Sequence, residues 1–395
     1  MKDFPRVVLK QGKDDAIKRF HPWIFSGAIK NILGCPKEGD VVEVFSNNGD
    51  YLGTGHFQTG TITVRVFSFQ QLTPDFEFWK SCLQKAYYLR KELGFTDNSE
   101  TNVYRLVNAE GDNLPGLIID YYNGSIVIQA HSIGMYLIRD QIAKALTEIY
   151  GGKLNTIFDK SSETLSRMNL ANSENEFLLG NKVENEVMEY GNKFIVDSEK
   201  GQKTGFFIDQ RENRKLIERY AKNKKVLNTF CYTGGFSVYA LKAGAIEVHS
   251  VDSSKKAIEL TEKNILLNEL DIHKHQSFQL DAMDFLKDID QKYDLIILDP
   301  PAFAKHNSSK RNALQAYKRI NLQAIQQIRK SGIIFTFSCS QVVDRNLFYS
   351  TVVSAAILSG RNVKIIHQLS QPSDHPLSAF HPEGEYLKGL VLFVE

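Results

Sequence analysis

The sequence has few cysteines and no long apolar run, and each shortage excludes a class of protein. The cysteines are widely spaced without a C-x-x-C pair, which argues against a zinc ribbon and a disulfide framework. Apolar stretches such as TVVSAAILSG fall far short of the roughly 20 residues of a membrane-spanning helix. The N-terminus carries scattered charges and lacks the apolar core of a signal peptide. We therefore predict a cytoplasmic protein with reduced thiols, no membrane segment and no metal site.

Charge of one sign is also lacking, because the formal net charge of the 395 residues is only +2. Any nucleic-acid binding must therefore depend on local basic patches. The 42% hydrophobic and 24% charged content is that of an ordinary globular protein. A chain of this length predicts two or three domains, and the number of associating chains stays open, a homodimer included.

Three regions differ in their periodicity. Short β-rich runs alternate with Gly/Asn turns up to Phe69, which predicts a small barrel. Strands at 103–108, 116–122, 126–130 and 155–159 surround a helix predicted over 135–150. From about Asp197, strands alternate with helices of ten or more residues, which predicts a parallel sheet covered on both faces. The predicted domains are 1–71 (PUA-like, RNA-binding), 72–188 (α+β) and 189–395 (catalytic).

A strand, a turn and a helix form a candidate cofactor cradle in "VLNTFCYTGGFSVYALKAGAIEVHSVDSS". The strand covers 226–229, the turn is Thr233-Gly234-Gly235, and a second strand at 248–251 precedes Asp252. An acid about twenty residues beyond such a turn is placed to bind ribose hydroxyls. The full G-x-G-x-x-G of dinucleotide folds is missing, which weakens nicotinamide or flavin binding. S-adenosylmethionine needs no pyrophosphate cradle, so the pattern predicts an adenosine-type ligand of that kind, and the alternative is that the glycines serve the geometry of the turn alone.

Two further strands end in acidic residues. "SFQLD" ends at Asp281, which could accept the adenine amino group, and "YDLIILDPP" ends at Asp299-Pro300-Pro301. Acidic residues at strand ends also serve as helix N-caps, so a capping role stays open for Asp281 and for Asp299. The predicted cofactor-binding residues of this region are Thr229, Phe230, Tyr232, Thr233, Gly234, Gly235, Asp252, Ser253, Asp281, Ala282, Asp299 and Pro300.

An ordered set of motifs resembles one family. "EKGQKTGFFIDQRENR", "VLNTFCYTGGFSVYALKAGA", "VDSS", "LDPPAFAK" and "FTFSCS" together look like the bacterial large-subunit (23S) ribosomal RNA cytosine-5 methyltransferases with an N-terminal PUA domain. "HPWIFSGAI" and "GDVVEVFSNNGDYLGTGHF" resemble the PUA part, and "NAEGDNLPGLIIDYYNG" resembles the middle domain. The resemblance runs over nearly the whole chain.

The resemblance implies an α/β class I S-adenosylmethionine-dependent fold, Rossmann-like, with a seven-stranded sheet whose last strand is antiparallel. It also implies that Lys203, Thr204 and Phe206 lie beside the cofactor. Phe207 is equally well explained as a core aromatic. The implied reaction is formation of 5-methylcytosine in ribosomal RNA.

Cysteine suits this reaction because carbon 5 of cytosine becomes nucleophilic only after a thiolate adds to carbon 6. Cys339 ends the "FTFSCS" strand, where an open sheet meets its ligands, and is the predicted nucleophile. Asp299, at the end of the neighbouring strand, is predicted to bind the base at N3 or the exocyclic amine and to help protonate the ring. Many related enzymes carry a second cysteine after the Asp-Pro pair, but this chain has Pro301-Ala302, so the group that removes the C5 proton stays unassigned.

RNA contacts are predicted beside this site. Phe303 could stack on an extruded base, and being a core aromatic is its alternative. Lys305, Lys310 and Arg311 could meet phosphates, or could simply form a solvated helix face. Two rival functions remain open: methylation of a guanine or adenine nitrogen, where "DPP" also occurs and no thiol is needed, and a non-catalytic RNA-binding assembly factor.

Overall fold

The computed structural model describes most of the chain, namely residues 4–166, 168, 174–183, 186–304 and 306–395. Two compact units divide it. The first comprises Met1–Asn185, Asp197–Phe206 and Ser373–Gly384, and the second Glu186–Val196, Phe207–Pro372 and Glu385–Glu395. Each unit is therefore assembled from segments that are distant in the sequence. Among the described residues, no helix has the length and apolar character needed to cross a membrane.

A six-stranded sheet forms the N-terminal part of the first unit. Its elements are β1 (Arg6–Leu9), α1 (Asp15–Lys18), β2 (Trp23–Phe25), β3 (Ile29–Leu33), β4 (Val41–Phe45), β5 (Tyr51–Phe57) and β6 (Ile62–Ser68). The strand order is β2-β6-β5-β4-β1-β3, and every pair is antiparallel except β1 with β4. Gly49 (φ 91°) and Gly60 (φ 143°) lie in the connections on either side of β5, because positive φ favours glycine. The predicted alternation of strands and Gly-containing turns is confirmed.

A five-stranded sheet with helices forms the rest of the first unit. Its elements are α2 (Phe76–Glu92), β7 (Val103–Asn108), β8 (Leu117–Tyr122), β9 (Ser125–Ala130), α3 (Ile133–Leu137), α4 (Arg139–Tyr150), β10 (Thr156–Asp159), α5 (Ser162–Ser166) and β11 (Glu176–Leu179). The strand order is β11-β10-β9-β8-β7, with only β9 and β10 parallel. The helix predicted over 135–150 is two helices, since Ile138 (φ −104°, ψ 10°) leaves helical geometry between α3 and α4.

Helix α2 shows why this part of the sequence is helical. The carboxylate of Asp75 accepts a hydrogen bond from the backbone N–H of Phe78 and caps the helix. Trp79, Leu83 and Ala86 follow at helical spacing and are buried against the sheet core. The helical period in the sequence therefore marks the face that packs.

A seven-stranded sheet dominates the second unit. The elements are β12 (Glu186–Glu189), β13 (Asn192–Ile195), α6 (Arg211–Ala221), β14 (Lys225–Thr229), α7 (Gly235–Lys242), β15 (Glu247–Asp252), α8 (Lys255–Leu267), β16 (His275–Gln279), α9 (Ala282–Phe285), β17 (Leu295–Leu298), α10 (Lys310–Gln327), β18 (Gly332–Ser338), α11 (Arg345–Ser359), β19 (Val363–Ser370) and β20 (Lys388–Val394). The order is β16-β15-β14-β17-β18-β20-β19. β12 and β13 form a separate hairpin, while the preceding β11 pairs with β10 in the first unit.

The sheet of the second unit has the predicted topology. β20 runs antiparallel to both of its neighbours, and the other strands are parallel to one another. All four residues of β17 are buried, as expected for a strand covered on both faces. The predicted class I fold, with an antiparallel last strand in the chain, is confirmed. The predicted three-domain boundaries remain a prediction.

Candidate active site at the carboxyl edge of the parallel sheet

Neighbouring parallel strands bring the predicted chemical groups to one edge of the sheet. Asp252 is the last residue of β15, Asp299 follows β17 directly, and Cys339 follows β18 directly. β17 and β18 are adjacent, with Leu298 opposite Thr336. Because the carboxyl ends of parallel strands meet at the same edge, these three side chains share one side of the sheet.

The turn after β14 has an unusual backbone. Phe230 (φ 57°) and Tyr232 (φ 47°) adopt left-handed conformations, which cost a non-glycine residue on the order of 1 kcal/mol or more each. Asp252 supports the turn, because its Oδ2 accepts a hydrogen bond from the N–H of Tyr232 at 3.1 Å. The Oδ1 of Asp252 accepts from the N–H of Ser254 at 2.9 Å. Both oxygens are therefore oriented by backbone donors, and strain of this kind clusters at ligand-binding sites.

Gly234 starts the helix that follows the turn. Its φ is 72°, and a Cβ at this position would lie 2.6 Å from Cγ2 of Thr261 on α8. Asn264, one turn further along α8, donates a hydrogen bond to the carbonyl of Thr233 at 2.8 Å. Close packing against α8 is thus one physical reason for the glycine, in addition to the expected approach of a ligand.

Other predicted cofactor residues on β14 and the turn have internal partners. The hydroxyl of Thr229 is buried and donates to the carbonyl of Ile297 at 2.7 Å, which joins β14 to β17. The ring of Tyr232 packs edge-on against Phe207, with ring centroids 5.0 Å apart. Phe230 packs against the hydrophobic core of the same unit. Their contacts with a cofactor remain predictions.

Asp281 serves as a helix N-cap. Its Oδ1 accepts hydrogen bonds from the N–H groups of Met283 at 2.8 Å and Asp284 at 3.1 Å. The capping alternative stated for this acid is therefore observed, and both bonds use the same oxygen. Ala282 is buried and Ser253 is exposed. Binding of adenine by Asp281 remains a prediction.

The three residues taken from the resemblance lie in the segment 197–206 of the first unit. The Thr204 hydroxyl donates to Oδ2 of Asp120 at 2.6 Å and accepts from the Tyr122 hydroxyl at 3.0 Å. Lys203 is exposed with φ 50°, and Phe206 is buried. Their role beside the cofactor is still a prediction.

A glutamine that the sequence analysis did not single out orients Asp299. The side-chain amide of Gln210 donates to Oδ1 of Asp299 at 2.9 Å. The Oε1 of Gln210 in turn accepts from the Asn213 amide at 2.6 Å, which fixes the direction in which the Gln210 amide points. Asp299 is half-buried and the following Pro300 is buried. The carboxylate is therefore held in place by a defined donor.

Cys339 lies half-buried among groups from three elements. Its Sγ is 3.9 Å from the Pro300 carbonyl oxygen, to which the thiol donates. The amino group of Lys388, on β20, donates to the Ser340 carbonyl at 2.7 Å. The hydroxyls of Tyr317 and Ser340 are hydrogen-bonded at 3.0 Å. The predicted nucleophile therefore has a buried lysine and a buried tyrosine hydroxyl in its immediate surroundings.

The other cysteines have different surroundings. Cys231 is only 6% exposed, and burial raises the pKa of its thiol to about 12. Burial also raises the pKa of the half-buried Cys82, and Cys35 is exposed; both belong to the first unit. Since the thiolate is the reactive form, Cys231 is chemically inert near neutral pH.

The predicted RNA-contacting residues lie on the loop after β17 and at the start of α10. Phe303 is half-buried and packs against Tyr317, with ring centroids 4.7 Å apart, as its core-aromatic alternative expects. Lys310 is half-buried and Arg311 is exposed, both in the first turn of α10. Lys305 lies outside the described residues.

Three residues of this edge were missed by sequence reasoning: Gln210, Tyr317 and Lys388. Gln210 lies within a motif quoted for the resemblance, and Lys388 is the first residue of β20. The available signal for Lys388 is a charged residue at the start of an otherwise apolar strand, "KGLVLFV". A single charged residue at the start of an apolar strand more often lies exposed at the strand end than buried, so the sequence did not identify Lys388 as a buried residue.

The edge has the groups that an adenosine-containing cofactor requires. Asp252 supplies a carboxylate fixed at the end of the second strand of a βαβ unit, and the strained turn lies at the end of the first. A half-buried acid and a half-buried thiol follow on the next two strands. The donor set therefore fits the predicted cofactor.

Comparisons with known proteins agree with this geometry. Residues 161–376, more than half of the chain, match a family described as S-adenosylmethionine-dependent methyltransferase, and residues 7–69 match a PUA-like domain. A protein of Tolumonas auensis named ribosomal RNA large subunit methyltransferase I is 39% identical over 394 residues, which cover 98% of each chain.

Two solved structures share the fold at low sequence identity. A candidate SAM-dependent methyltransferase from Streptococcus mutans is 24% identical, with a TM-score of 0.85 over 98% of this chain and 100% of the other. A candidate methyltransferase, SMU.776, complexed with SAH has a TM-score of 0.86 at 24% identity, with the same coverage. At this identity the likeness concerns the fold.

Proposed function

Since the chain belongs to the family of S-adenosylmethionine-dependent methyltransferases that includes ribosomal RNA large subunit methyltransferase I, we propose that it forms 5-methylcytosine in large-subunit ribosomal RNA. The cofactor is S-adenosylmethionine, as predicted, and the N-terminal domain is PUA-like. The observation that carries the choice of base is a half-buried cysteine, Cys339, one strand away from Asp299 at the cofactor edge. A thiol at that place is needed for methylation of carbon 5 and is superfluous for methylation of a ring nitrogen.

The turn after β14, together with Asp252 and Asp281, would hold the cofactor at the carboxyl edge. S-adenosylmethionine, when bound, supplies an electrophilic methyl group. The carboxylate of Asp252 is already oriented by two backbone N–H groups, so it can accept hydrogen bonds from ribose hydroxyls without rearranging.

Cys339 and Asp299 divide the activation of the base between them. The Cys339 sulfur uses a lone pair to form a bond to carbon 6, and the displaced electrons of the C5–C6 double bond make carbon 5 nucleophilic. Asp299 binds the edge of the ring at N3 or the exocyclic amine, where it can deliver a proton as negative charge develops. After methylation, the C5 proton is lost to solvent water and the C5–H electrons restore the double bond. The electrons of the S–C6 bond return to sulfur, and the proton that Asp299 delivered returns to its carboxylate.

The start of α10 supports RNA as the substrate. Lys310 and Arg311 place two cations in the first turn of a helix, where the helix dipole disfavours positive charge. The negative phosphates of a bound RNA would offset this unfavourable interaction with the helix dipole. Exposure to solvent alone gives no reason to place the two cations there. The PUA-like domain at residues 7–69 is a second feature in favour of RNA.

Covalent trapping tests the proposal. Ribosomal RNA containing 5-fluorocytosine should stay attached to the protein through Cys339, because fluorine at carbon 5 cannot leave as a proton does. Ribosomal RNA from cells lacking the gene should accept labelled methyl groups as 5-methylcytosine. Cys339→Ala should abolish both results, whereas Cys82→Ala, a matched change in the other unit, should leave both intact.

Two outcomes would favour the alternatives. Full methyl transfer by the Cys339→Ala protein would indicate methylation of a purine nitrogen. RNA binding without transfer, and identical 5-methylcytosine maps with and without the gene, would indicate an assembly factor.

A further inference from the structure

Lys388 is buried beside the predicted nucleophile. It is 1% exposed and opens β20, where its Cα partner across the sheet is Ser338 on β18. Its amino group donates to the carbonyl of Ser340 at 2.7 Å. Cys339 lies between Ser338 and Ser340 in the chain. Lys388 therefore pairs with the residue before the thiol through the sheet and with the residue after it through its amino group.

Burial of an ammonium group is costly unless a negative partner compensates it. Within the described part of the chain, Lys388 forms no salt bridge, and the Ser340 carbonyl is the single acceptor of its three N–H groups. The nearby acid Glu385 is already paired with Arg345, whose Nε donates to its carboxylate at 2.8 Å. Methionine or leucine would fill the same space without this desolvation cost, so packing alone does not explain a lysine here.

The charge of Lys388 acts directly on Cys339. Burial is the largest influence on the pKa of Lys388 and lowers it, and the charge of Cys339 comes next, because a thiolate there favours the charged ammonium form. By reciprocity, the ammonium favours the thiolate. Glu385 and Asp344 also favour the charge on Lys388, whereas Arg345 opposes it.

Tyr317, another polar neighbour of the thiol, is a poor source of charge. Burial raises the pKa of Tyr317, so its hydroxyl stays neutral near pH 7, and it is hydrogen-bonded to Ser340. Burial lowers the pKa of Lys388 to about 8, which still leaves it mostly protonated near pH 7. Lys388 is therefore a positive group that can stabilise a thiolate at Cys339.

We propose that Lys388 is a positioning residue that stabilises the thiolate of Cys339 and holds the segment carrying it. The inference rests on the proposed function, because a thiolate is needed only if Cys339 attacks the base. Lys388 forms no bond to RNA in this account. It acts through the sulfur, which returns to the thiolate form at the end of each turnover.

Site-resolved alkylation of the full-length protein tests the role of Lys388 without RNA. The rate at which iodoacetamide modifies Cys339 is measured by mass spectrometry across a pH series. In Lys388→Met, the midpoint of this pH profile should rise by about one pH unit. The rate near pH 7 should then fall about threefold, because the lower thiolate fraction is partly offset by greater nucleophilicity. Lys388→Arg keeps the charge and should stay near wild type.

Two controls separate this effect from a structural one. Lys364→Met removes an exposed lysine from β19, and it should leave the Cys339 profile unchanged. The exposed Cys35, in the other unit, should react at the same rate in every variant. Thermal unfolding is followed in parallel, and Lys388→Gln replaces Lys388→Met if the latter does not fold.

Coinciding Cys339 profiles in wild type and in a folded charge-removing variant would overturn the inference. A different result would contradict the proposed function, namely full methyl transfer by the Cys339→Ala protein. The two failures are therefore distinguishable, since alkylation uses neither RNA nor cofactor.

Discussion

At the scale of single residues, environment decides which cysteine can do chemistry. Cys231 and Cys339 both lie in the second unit near the carboxyl edge of its sheet. Cys231 is buried and packs against Thr261, with its Sγ 3.5 Å from the hydroxyl oxygen. Burial raises the pKa of the Cys231 thiol to about 12. Cys339 is half-buried and has a buried ammonium group close by. Two residues of the same type are thus separated chemically by burial and charge.

Asp299 offers a residue-scale prediction. Replacement by Asn keeps the shape and an oxygen that can still accept from the Gln210 amide, but it removes the carboxyl group that we propose protonates the ring. We expect methyl transfer to slow by about 10²- to 10³-fold, the range typical of losing one preorganised electrostatic group. Single-turnover transfer of labelled methyl groups to RNA measures this. Asp284→Asn is the matched control, because that acid is exposed in the same unit, and it should retain full activity. An equal loss in both variants would contradict the role of Asp299.

At the scale of elements, the junction between β14 and α7 concentrates strain and close packing. Phe230 and Tyr232 have positive φ, and Gly234 combines positive φ with contact to α8. Apolar burial elsewhere in the unit must compensate this local cost. The junction is therefore a place where a small change has a large effect.

Gly234→Ala provides the corresponding prediction. Left-handed backbone costs alanine roughly 1 kcal/mol, and the clash of its Cβ with Thr261 adds roughly 1–3 kcal/mol. We expect a loss of about 2–4 kcal/mol in the free energy of unfolding and weaker binding of S-adenosylmethionine. Urea denaturation and calorimetric titration of the cofactor measure the two effects. Gly360 has φ 69° with no heavy atom within 4 Å, so Gly360→Ala should show only the smaller backbone cost. Equal losses at both positions would show that contact with α8 is unimportant.

At the scale of the whole molecule, each unit depends on segments far apart in the chain. Within the first unit, Lys160 donates to the carbonyls of Ser198 and Gly201 at 2.7 Å each. Arg90, fully buried, donates to the carbonyl of Asp374 at 2.9 Å and is paired with Asp112. Such contacts make folding of the first unit depend on chain that follows most of the second.

Stability should fall in mildly acidic solution because each unit holds a neutral histidine, the buried His56 in the first and the half-buried His275 in the second. Burial lowers the pKa of His56 to about 3 and of His275 to about 4. The unfolded chain takes up these protons first, at about pH 6.5, so stability present above that pH is lost as the pH falls. The loss is about 1.4 kcal/mol per pH unit for each histidine until its folded pKa is reached.

Urea denaturation between pH 7.5 and 5 measures this slope. His275→Gln should flatten it by about one proton, whereas His273→Gln, at an exposed position two residues earlier, should not. An unchanged slope in His275→Gln would show that this imidazole is already charged in the folded state.

The sequence by itself determined the local elements and the edge of the sheet where the predicted site residues meet. Periodicity placed β7 at 103–108 and β14 within one residue, and it predicted the parallel sheet that brings Asp299 and Cys339 to one edge. These features follow from local burial and from the rule that parallel strands end at the same edge, so they are readable along the chain. The predicted roles of individual site residues remain predictions.

Only the tertiary structure decided which distant groups meet. The contact of Gln210 with Asp299, the burial of Lys388 beside Cys339 and the return of 373–384 to the first unit join residues separated by tens to hundreds of positions. Hydrophobic period reports whether a residue faces a core, but it carries no record of which polar partner lies across that core. Such partners are selected by the packing of whole elements, which is settled when the chain folds.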